Sequence, residues 1–298
     1  MTEAPTVSVV IPAYNAAWCI ERAVRSVLAQ THSAVELIVV DDGSTDGTAE
    51  VLARLATGLR LLAKPNGGLS SARNAGIAAA RGCYVAFLDA DDWWEADKLA
   101  RQVALMEARP ELAFCSTAAR IADPEGRHVG DWPCGCSEPH VLDAIFAENG
   151  SIAGSGSAVM ARADALAQAG PFDESLRSLE DVDMWMRLAA IGGYACVAEP
   201  LVVITRHPDS MSRNLDVMRD AARRVMRKNR HLLPPEKRGA FWRHAYAGML
   251  SDYAKWAWRT QRRGQALRDL LTGLCIAPIS RGRLMAGLLL AMLSNRTV

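Results

Sequence analysis

The sequence predicts an α/β protein: a largely parallel sheet held between two helical layers, an α/β/α sandwich, followed by a helical C-terminal extension. Short, predominantly apolar runs at Val7–Ile11 and Leu37–Val40 read as buried strands, and Leu59–Leu62 and Tyr84–Leu88 as a third and a fourth strand. Helical patterns separate them, and strand–helix alternation of this kind builds a parallel sheet with covered faces. Beyond Asp216 the pattern is helical throughout, broken at Pro234-Pro235 and at Pro278. The chain therefore divides into residues 1–215 and 216–298.

Taken in order, the first strand ends at Pro12, and Asn15 is placed to cap a helix carried by Ile20, Val24, Val27 and Leu28. The second strand runs into Asp41-Asp42-Gly43-Ser44, and Asp46 or Thr48 opens the next helix. After the third strand, a Pro-Asn-Gly-Gly turn at 65–68 precedes an Ala-rich helix over 69–80. The fourth strand runs directly into Asp89-Ala90-Asp91-Asp92, and a helix over 95–108 follows. The stretch from Arg120 to Gly156 is rich in Gly, Pro and Asp without periodicity, and reads as loop.

Charge is divided unevenly. The net charge of +1 conceals 17 Lys/Arg against 5 Asp/Glu from Asp216 onward, so the front of the chain is acidic. An acidic front suits divalent cations, and a basic tail suits an anionic surface or a solvated face. Seven scattered cysteines (Cys19, Cys83, Cys115, Cys134, Cys136, Cys196, Cys275) suggest unpaired thiols in a reducing compartment. Cys134-Gly-Cys136 lacks the partners of a zinc site. No signal-peptide pattern opens the sequence, and the apolar stretch Leu284–Leu293 is far shorter than the ~20 residues of a spanning helix. The expected location is cytoplasmic.

The acidic pairs Asp41/Asp42 and Asp89/Asp91 both stand where a strand stops, and in open α/β sheets those ends line the ligand crevice. Two carboxylates at i and i+2 beside phosphate oxygens form the hard oxygen shell that Mg²⁺ or Mn²⁺ prefers. A metal so held neutralises charge on a departing diphosphate. Glu180-Asp181 supplies carboxylates able to accept a proton from an attacking hydroxyl, or alternatively acids that favour a helix N-terminus. Trp93 and Trp94 either stack on a sugar or pack on the sheet. Trp185, one helical turn beyond Asp181, either shields that carboxylate or belongs to the core.

Four motifs occur in order: Val9-Val-Ile-Pro-Ala-Tyr-Asn15, Val40-Asp-Asp-Gly-Ser-Thr-Asp46, Asn66-Gly-Gly-Leu-Ser-Ser-Ala-Arg-Asn74 and Phe87-Leu-Asp-Ala-Asp-Asp92. Gly170-Pro-Phe-Asp-Glu174, Glu180-Asp-Val-Asp-Met-Trp185 and Arg206-His207-x-x-Ser210-x-Ser212 follow. From about residue 6 to 213 the chain resembles family 2 of the inverting glycosyltransferases, which have the GT-A fold. The resemblance implies that Pro12, Tyr14, Asn15 and Asp42 or Asp41 frame the base and ribose of a nucleoside diphosphate. It places Asn66, Arg73, Asp89 and Ala90 against the nucleotide, Asp91 and His207 at a Mn²⁺ or Mg²⁺ ion, and Asp181 as general base assisted by Glu180. The implied activity is transfer of a sugar, most commonly from a UDP-linked donor, to the hydroxyl of a saccharide or lipid-linked saccharide in polysaccharide or glycolipid assembly.

Two rivals are weaker. A sugar nucleotidyltransferase carries a Gly-rich basic loop after its first strand, where this chain has Pro12-Ala-Tyr-Asn15. A non-catalytic nucleotide-sugar-binding module does not account for Asp91, Asp181 and His207 together. Gly154-Ser-Gly156 lacks the dinucleotide fingerprint. The tail matches no motif of the family. There Arg223, Arg224, Arg227, Lys228 and Arg230 precede Trp242, Tyr246, Trp256 and Trp258, interleaved with further cations. That composition suits the surface of an anionic membrane, or else aromatics packing the helices down. With no reading motif, nucleic acid is not an expected partner.

Overall fold

In the computed structural model, the described residues are 6–55, 57–134, 141–147, 156–207 and 214–294. Ser210 and Ser212 of the last motif, Cys136 and Gly154 lie outside them. The strands are β1 (Val7–Ala13), β2 (Val35–Asp41), β3 (Leu59–Ala63), β4 (Tyr84–Phe87), β5 (Trp93–Trp94), β6 (Leu112–Ala122), β7 (His128–Trp132), β8 (Met160–Arg162) and β9 (Gly193–Thr205). The helices are α1 (Ile20–Leu28), α2 (Thr48–Arg54), α3 (Leu69–Ala79), α4 (Lys98–Ala108), α5 (Val141–Ala147), α6 (Ala163–Ala169), α7 (Glu180–Ala189), α8 (Leu215–Lys228), α9 (Ala240–Arg259), α10 (Arg263–Ile276) and α11 (Gly282–Leu293).

The strands form one sheet in the order β3-β2-β1-β4-β8-β6-β9-β5, with β7 on β6. Its first half, β3-β2-β1-β4, is wholly parallel, as the apolar runs predict. The second half is mixed: β8 runs antiparallel to β4 and β6, β9 parallel to β6, and β5 antiparallel to β9. Alternation within each parallel strand feeds two cores. Val10, Ile38, Val40, Val85 and Phe87 face one layer, while Val9, Ile11, Leu37, Val39 and Ala86 face the other. Helices α1, α2 and α4 cover the second face, and α3 with α5 to α9 cover the first.

Several expectations need correction. Residues 120–156 are not loop throughout: β6 continues to Ala122, β7 hairpins back on it, and α5 follows. β7 is half exposed and carries His128 and Asp131, so it shows no apolar run to betray a strand. Asn15 does not cap α1, which begins at Ile20. Its φ of 50° turns the chain, and its Oδ1 accepts from the Thr45 amide at 2.8 Å. The cysteines are not all unpaired thiols, since Cys134 and Cys196 form a disulfide beside Ser116 and Tyr194. Pairing of β7 and β9 with β6 brings together residues 62 apart in sequence, a proximity that spacing does not reveal.

The tail aromatics are mostly structural. Tyr246 is fully buried, and Trp242 stacks on it at 4.8 Å while donating from Nε1 to the Met226 carbonyl at 2.8 Å. Both belong to the main core with Val225, Met226 and Met249. Only Trp256 of the four is exposed, and Trp258 is partly covered beneath the Arg263 guanidinium. Helices α10 and α11 pack through a separate small cluster on the outer side of α9. No helix among the described residues is long and apolar enough to cross a membrane.

Candidate active site

The ends of β1, β2 and β4 and the start of α7 bring the expected residues to one region. After β2, Asp41 Oδ1 accepts from the Ser44 amide at 3.0 Å, and Asp42 turns inward. Asp42 accepts from Lys64 Nζ at 2.5 Å and from the Gly68 amide at 2.7 Å, so it shapes the 64–68 loop that presents the exposed Asn66. Gly43 allows that loop to close: its φ is +76°, and a Cβ there would meet the Asn66 nitrogen at 2.8 Å. Pro12 is buried within β1, and Tyr14 is exposed just beyond it.

Arg73 joins the donor motif to the candidate base. Its buried guanidinium donates from Nη2 to Asp89 Oδ1 at 2.8 Å and from Nη1 to Glu180 Oε1 at 2.7 Å. Gly156 leaves room for it, since a Cβ there would stand 3.0 Å from Arg73 Nη2. Both terminal nitrogens of Arg73 thus serve carboxylates, and the side chain bridges the two motifs. Leu179 enters α7 in the left-handed region at φ 57°, a conformation that costs about 1–3 kcal/mol for a non-glycine residue. The next two side chains are Glu180, on Arg73, and Asp181. Desolvation, then the Glu180 charge, push the Asp181 carboxyl up to about 7, against the pull of Arg73.

A second network fixes the Asp89–Asp92 turn. The Asp89 amide donates to Ser157 Oγ at 3.0 Å, and Ser157 Oγ donates to Asp92 at 2.6 Å. Asp92 is buried and also accepts from the Thr205 amide at 2.8 Å; burial and the charges of Asp91 and Asp89 hold its carboxyl well above the usual range. Arg22 Nη2 donates to the Asp91 carbonyl and to Thr205 Oγ1, both at 3.1 Å, and its guanidinium lies 3.7 Å over the Trp93 ring. Two residues past Thr205, His207 Nε2 stands 3.1 Å from Asp91 Oδ2. The exposed Trp18 meets the His207 ring edge-on at 5.6 Å.

For Trp94 and Trp185 the structure takes the second of the alternatives that the sequence leaves open, packing in the core. Trp94 is buried, with Nε1 donating to the Ser157 carbonyl at 2.9 Å and Lys98 Nζ 3.8 Å from its ring. Trp185 packs against Phe87, Phe114 and Phe172. Trp93 is half-buried beneath Arg22, and Ala90 is half-buried in the motif turn. Arg22, Ser157, Thr205 and Trp18 are residues that sequence reasoning missed. Only Thr205 carried a signal, its place two residues before His207.

The donor set fits a hard divalent cation. Burial and Asp89 raise the Asp91 carboxyl, while His207 lowers it, so Asp91 sits in a negative field that a cation would relieve. Among the described residues, no three His, Cys, Asp or Glu side chains converge as a ready-made cage. Asp91 would supply a carboxylate and His207 an imidazole nitrogen, leaving the remaining positions to diphosphate oxygens and water.

Residues 8–166, more than half of the chain, match the family model for glycosyl transferase family 2. Over 224 residues the chain is 34% identical to a chondroitin synthase of Pasteurella multocida, an overlap of 72% of this chain and 22% of that protein. The chain thus spans about a fifth of the length of that relative. Among solved structures, S. aureus TarS 1-349 in complex with UDP-GlcNAc superposes with a TM-score of 0.69 at 18% identity, covering 92% of this chain and 82% of TarS 1-349. The mannosyltransferase PcManGT from Pyrobaculum calidifontis, in complex with GDP-Man and Mn²⁺, gives a TM-score of 0.63 at 22% identity over 98% of this chain and 81% of its own. At these identities the likeness is one of fold, and that fold is GT-A. With its family motifs gathered at the strand ends of such a sheet, the chain belongs to glycosyltransferase family 2.

Proposed function

We propose that the chain transfers one sugar from a UDP-linked donor to an acceptor hydroxyl, inverting the anomeric carbon, with a divalent cation at Asp91 and His207. The observation that carries this reading is Arg73. By holding Asp89 and Glu180 on one guanidinium, it sets the donor motif beside the candidate base. In this reading Asp181 accepts the proton of the acceptor hydroxyl as that oxygen attacks the anomeric carbon from the face opposite the diphosphate. Glu180, held by Arg73, orients the acceptor side. Asp89 faces the ribose, and the loops shaped by Asp41 and Asp42 receive the base between Tyr14 and Asn66. The bound cation supplies charge neutralisation to the departing diphosphate.

The complexes of TarS with UDP-GlcNAc and of PcManGT with GDP-Man and Mn²⁺ support a nucleotide-sugar donor and a metal. Similarity to a chondroitin synthase supports a saccharide acceptor in polysaccharide assembly, free or lipid-linked. Residues 1–215 are proposed as the catalytic unit and 216–298 as its helical extension. A thermal-shift panel of UDP, GDP, dTDP and their sugars, with and without Mn²⁺, tests the reading. Binding to the folded state alone stabilises by about 2.7 kcal/mol at a hundredfold excess over Kd. UDP with Mn²⁺ is expected to raise Tm most, and Asp91→Asn to lose the Mn²⁺-dependent part. Absence of a Mn²⁺-dependent shift with every nucleotide tried would overturn the proposal.

A further inference from the structure

Helices α10 and α11 and the turn between them carry exposed large apolar side chains. Ala266, Leu270 and Gly273 of α10 and Met285 and Met292 of α11 turn inward. Leu271 is 50% exposed, Leu284 41%, Leu290 67%, and Ile279, at the turn between the helices, 96%. Isolated exposed leucines are ordinary, but several on one helical hairpin mark a surface that meets something apolar. The charges beside them are of one sign. Arg268 and Arg283 are exposed, and after Asp269 the sequence contains no Asp or Glu at all.

We propose that this α10–α11 face is an interfacial anchor for an anionic lipid bilayer, with Ile279 and Leu290 entering the acyl boundary and Arg268 and Arg283 at the headgroups. The charge pattern selects a bilayer over a second copy of the chain. A two-fold interface sets a patch against its own copy, and this patch offers cations with no acid to meet them. Anionic headgroups provide the missing counter-charge. The twelve residues of α11 are too few to span the hydrocarbon core, so the helix lies in the plane of the surface. The anchor differs from the one that sequence suggested, whose Trp242 and Tyr246 are in the core. It rests on the proposed lipid-linked acceptor only for its purpose, which is to hold the enzyme where such an acceptor is confined.

Co-sedimentation of the full chain with vesicles, without donor or acceptor, tests it independently of transfer. Vesicles containing about 30% phosphatidylglycerol are expected to pellet the protein, and pure phosphatidylcholine to pellet far less. Ile279→Ser with Leu290→Ser, both at exposed positions, is expected to weaken partitioning by about tenfold or more. Arg268→Ala with Arg283→Ala is expected to remove the preference for anionic vesicles, as is raised salt acting on the unaltered chain. Unchanged thermal midpoints show that the variants fold, and the salt series stands whether or not they do. Failure to pellet, equal pelleting with neutral vesicles, or an unaltered serine variant would overturn the proposal. So would a dimer in sedimentation equilibrium that the serine variant dissociates.

Discussion

The active-site region and the seam between α7, α8 and α10 use the same buried ingredients, carboxylates against guanidinium and ammonium groups, in opposite proportions. At the strand ends, Asp89, Asp91, Asp92, Glu180 and Asp181 gather around Arg73 and Arg22. At the seam, Asp183 is fully buried and takes Arg187 at 2.9 Å, Lys228 at 3.0 Å and the Asn229 amide at 2.8 Å. Asp269, also fully buried, takes Arg223 and, at 3.7 Å, Arg219. Each seam carboxylate meets two cations and acts as a structural joint. Burial still raises the Asp269 carboxyl, but both arginines pull it back. The active-site carboxylates outnumber their cations, and desolvation by burial, followed by the charge of neighbouring carboxylates, raises Asp91, Asp92 and Asp181. Such surplus marks a place prepared for a cation and a proton.

The comparison breaks most visibly at Asp181. Replacement by Asn should lower transfer by about 10²–10⁴ while leaving donor affinity near normal, because the base acts on the acceptor side. Single-turnover rates set against calorimetric UDP affinity separate the two effects. Equal losses in both, or an inactive Glu180→Gln beside an active Asp181→Asn, would reassign the base.

At the seam the effect should be on stability. Asp183→Ala leaves Arg187, Lys228 and Asn229 without their common acceptor, and breaking a buried pair typically costs about 3–5 kcal/mol. Urea denaturation should show that loss, with the Mn²⁺-dependent response to UDP retained below the transition. A near-wild-type midpoint would mean that the seam is not the joint described here.

The smallest effect concerns pH and follows from the raised Asp181 carboxyl. Its folded-state pKa of about 7 lies above the ordinary aspartate value of ~3.9, so the folded chain holds a proton that the unfolded chain releases. Stability from this group is therefore full at low pH, declines as pH rises toward about 7, and is flat above that. Asp181→Asn should remove this decline in the ligand-free protein. In the unaltered enzyme kcat/KM should rise through the same range as the base loses its proton. Parallel stability profiles for the two proteins would show that Asp181 titrates normally.

Local sequence determined the parallel half of the sheet and the residues at its ends. Buried strands leave apolar runs, and acids stop those of β2 and β4, so the pattern alone was enough to put Asp41, Asp42, Asp89 and Asp91 at strand ends. The family motifs added Glu180, Asp181 and His207, which no periodicity would have singled out. Tertiary structure decided the rest. β7 is half exposed and β8 has only three residues, too little for a periodic signal, so this part of the sheet exists through its partners. The role of Arg73 depends on two carboxylates, one 16 and one 107 residues away, and that of Arg22 on a threonine 183 residues away. For Trp185 and Trp94 the sequence left core packing and a place at the site both open, and tertiary structure chose the core, because a side chain's face is set by what packs against it. Sequence records which groups are present; the balance of charge around each one, and hence its chemistry, exists only once distant segments share the same low-dielectric space.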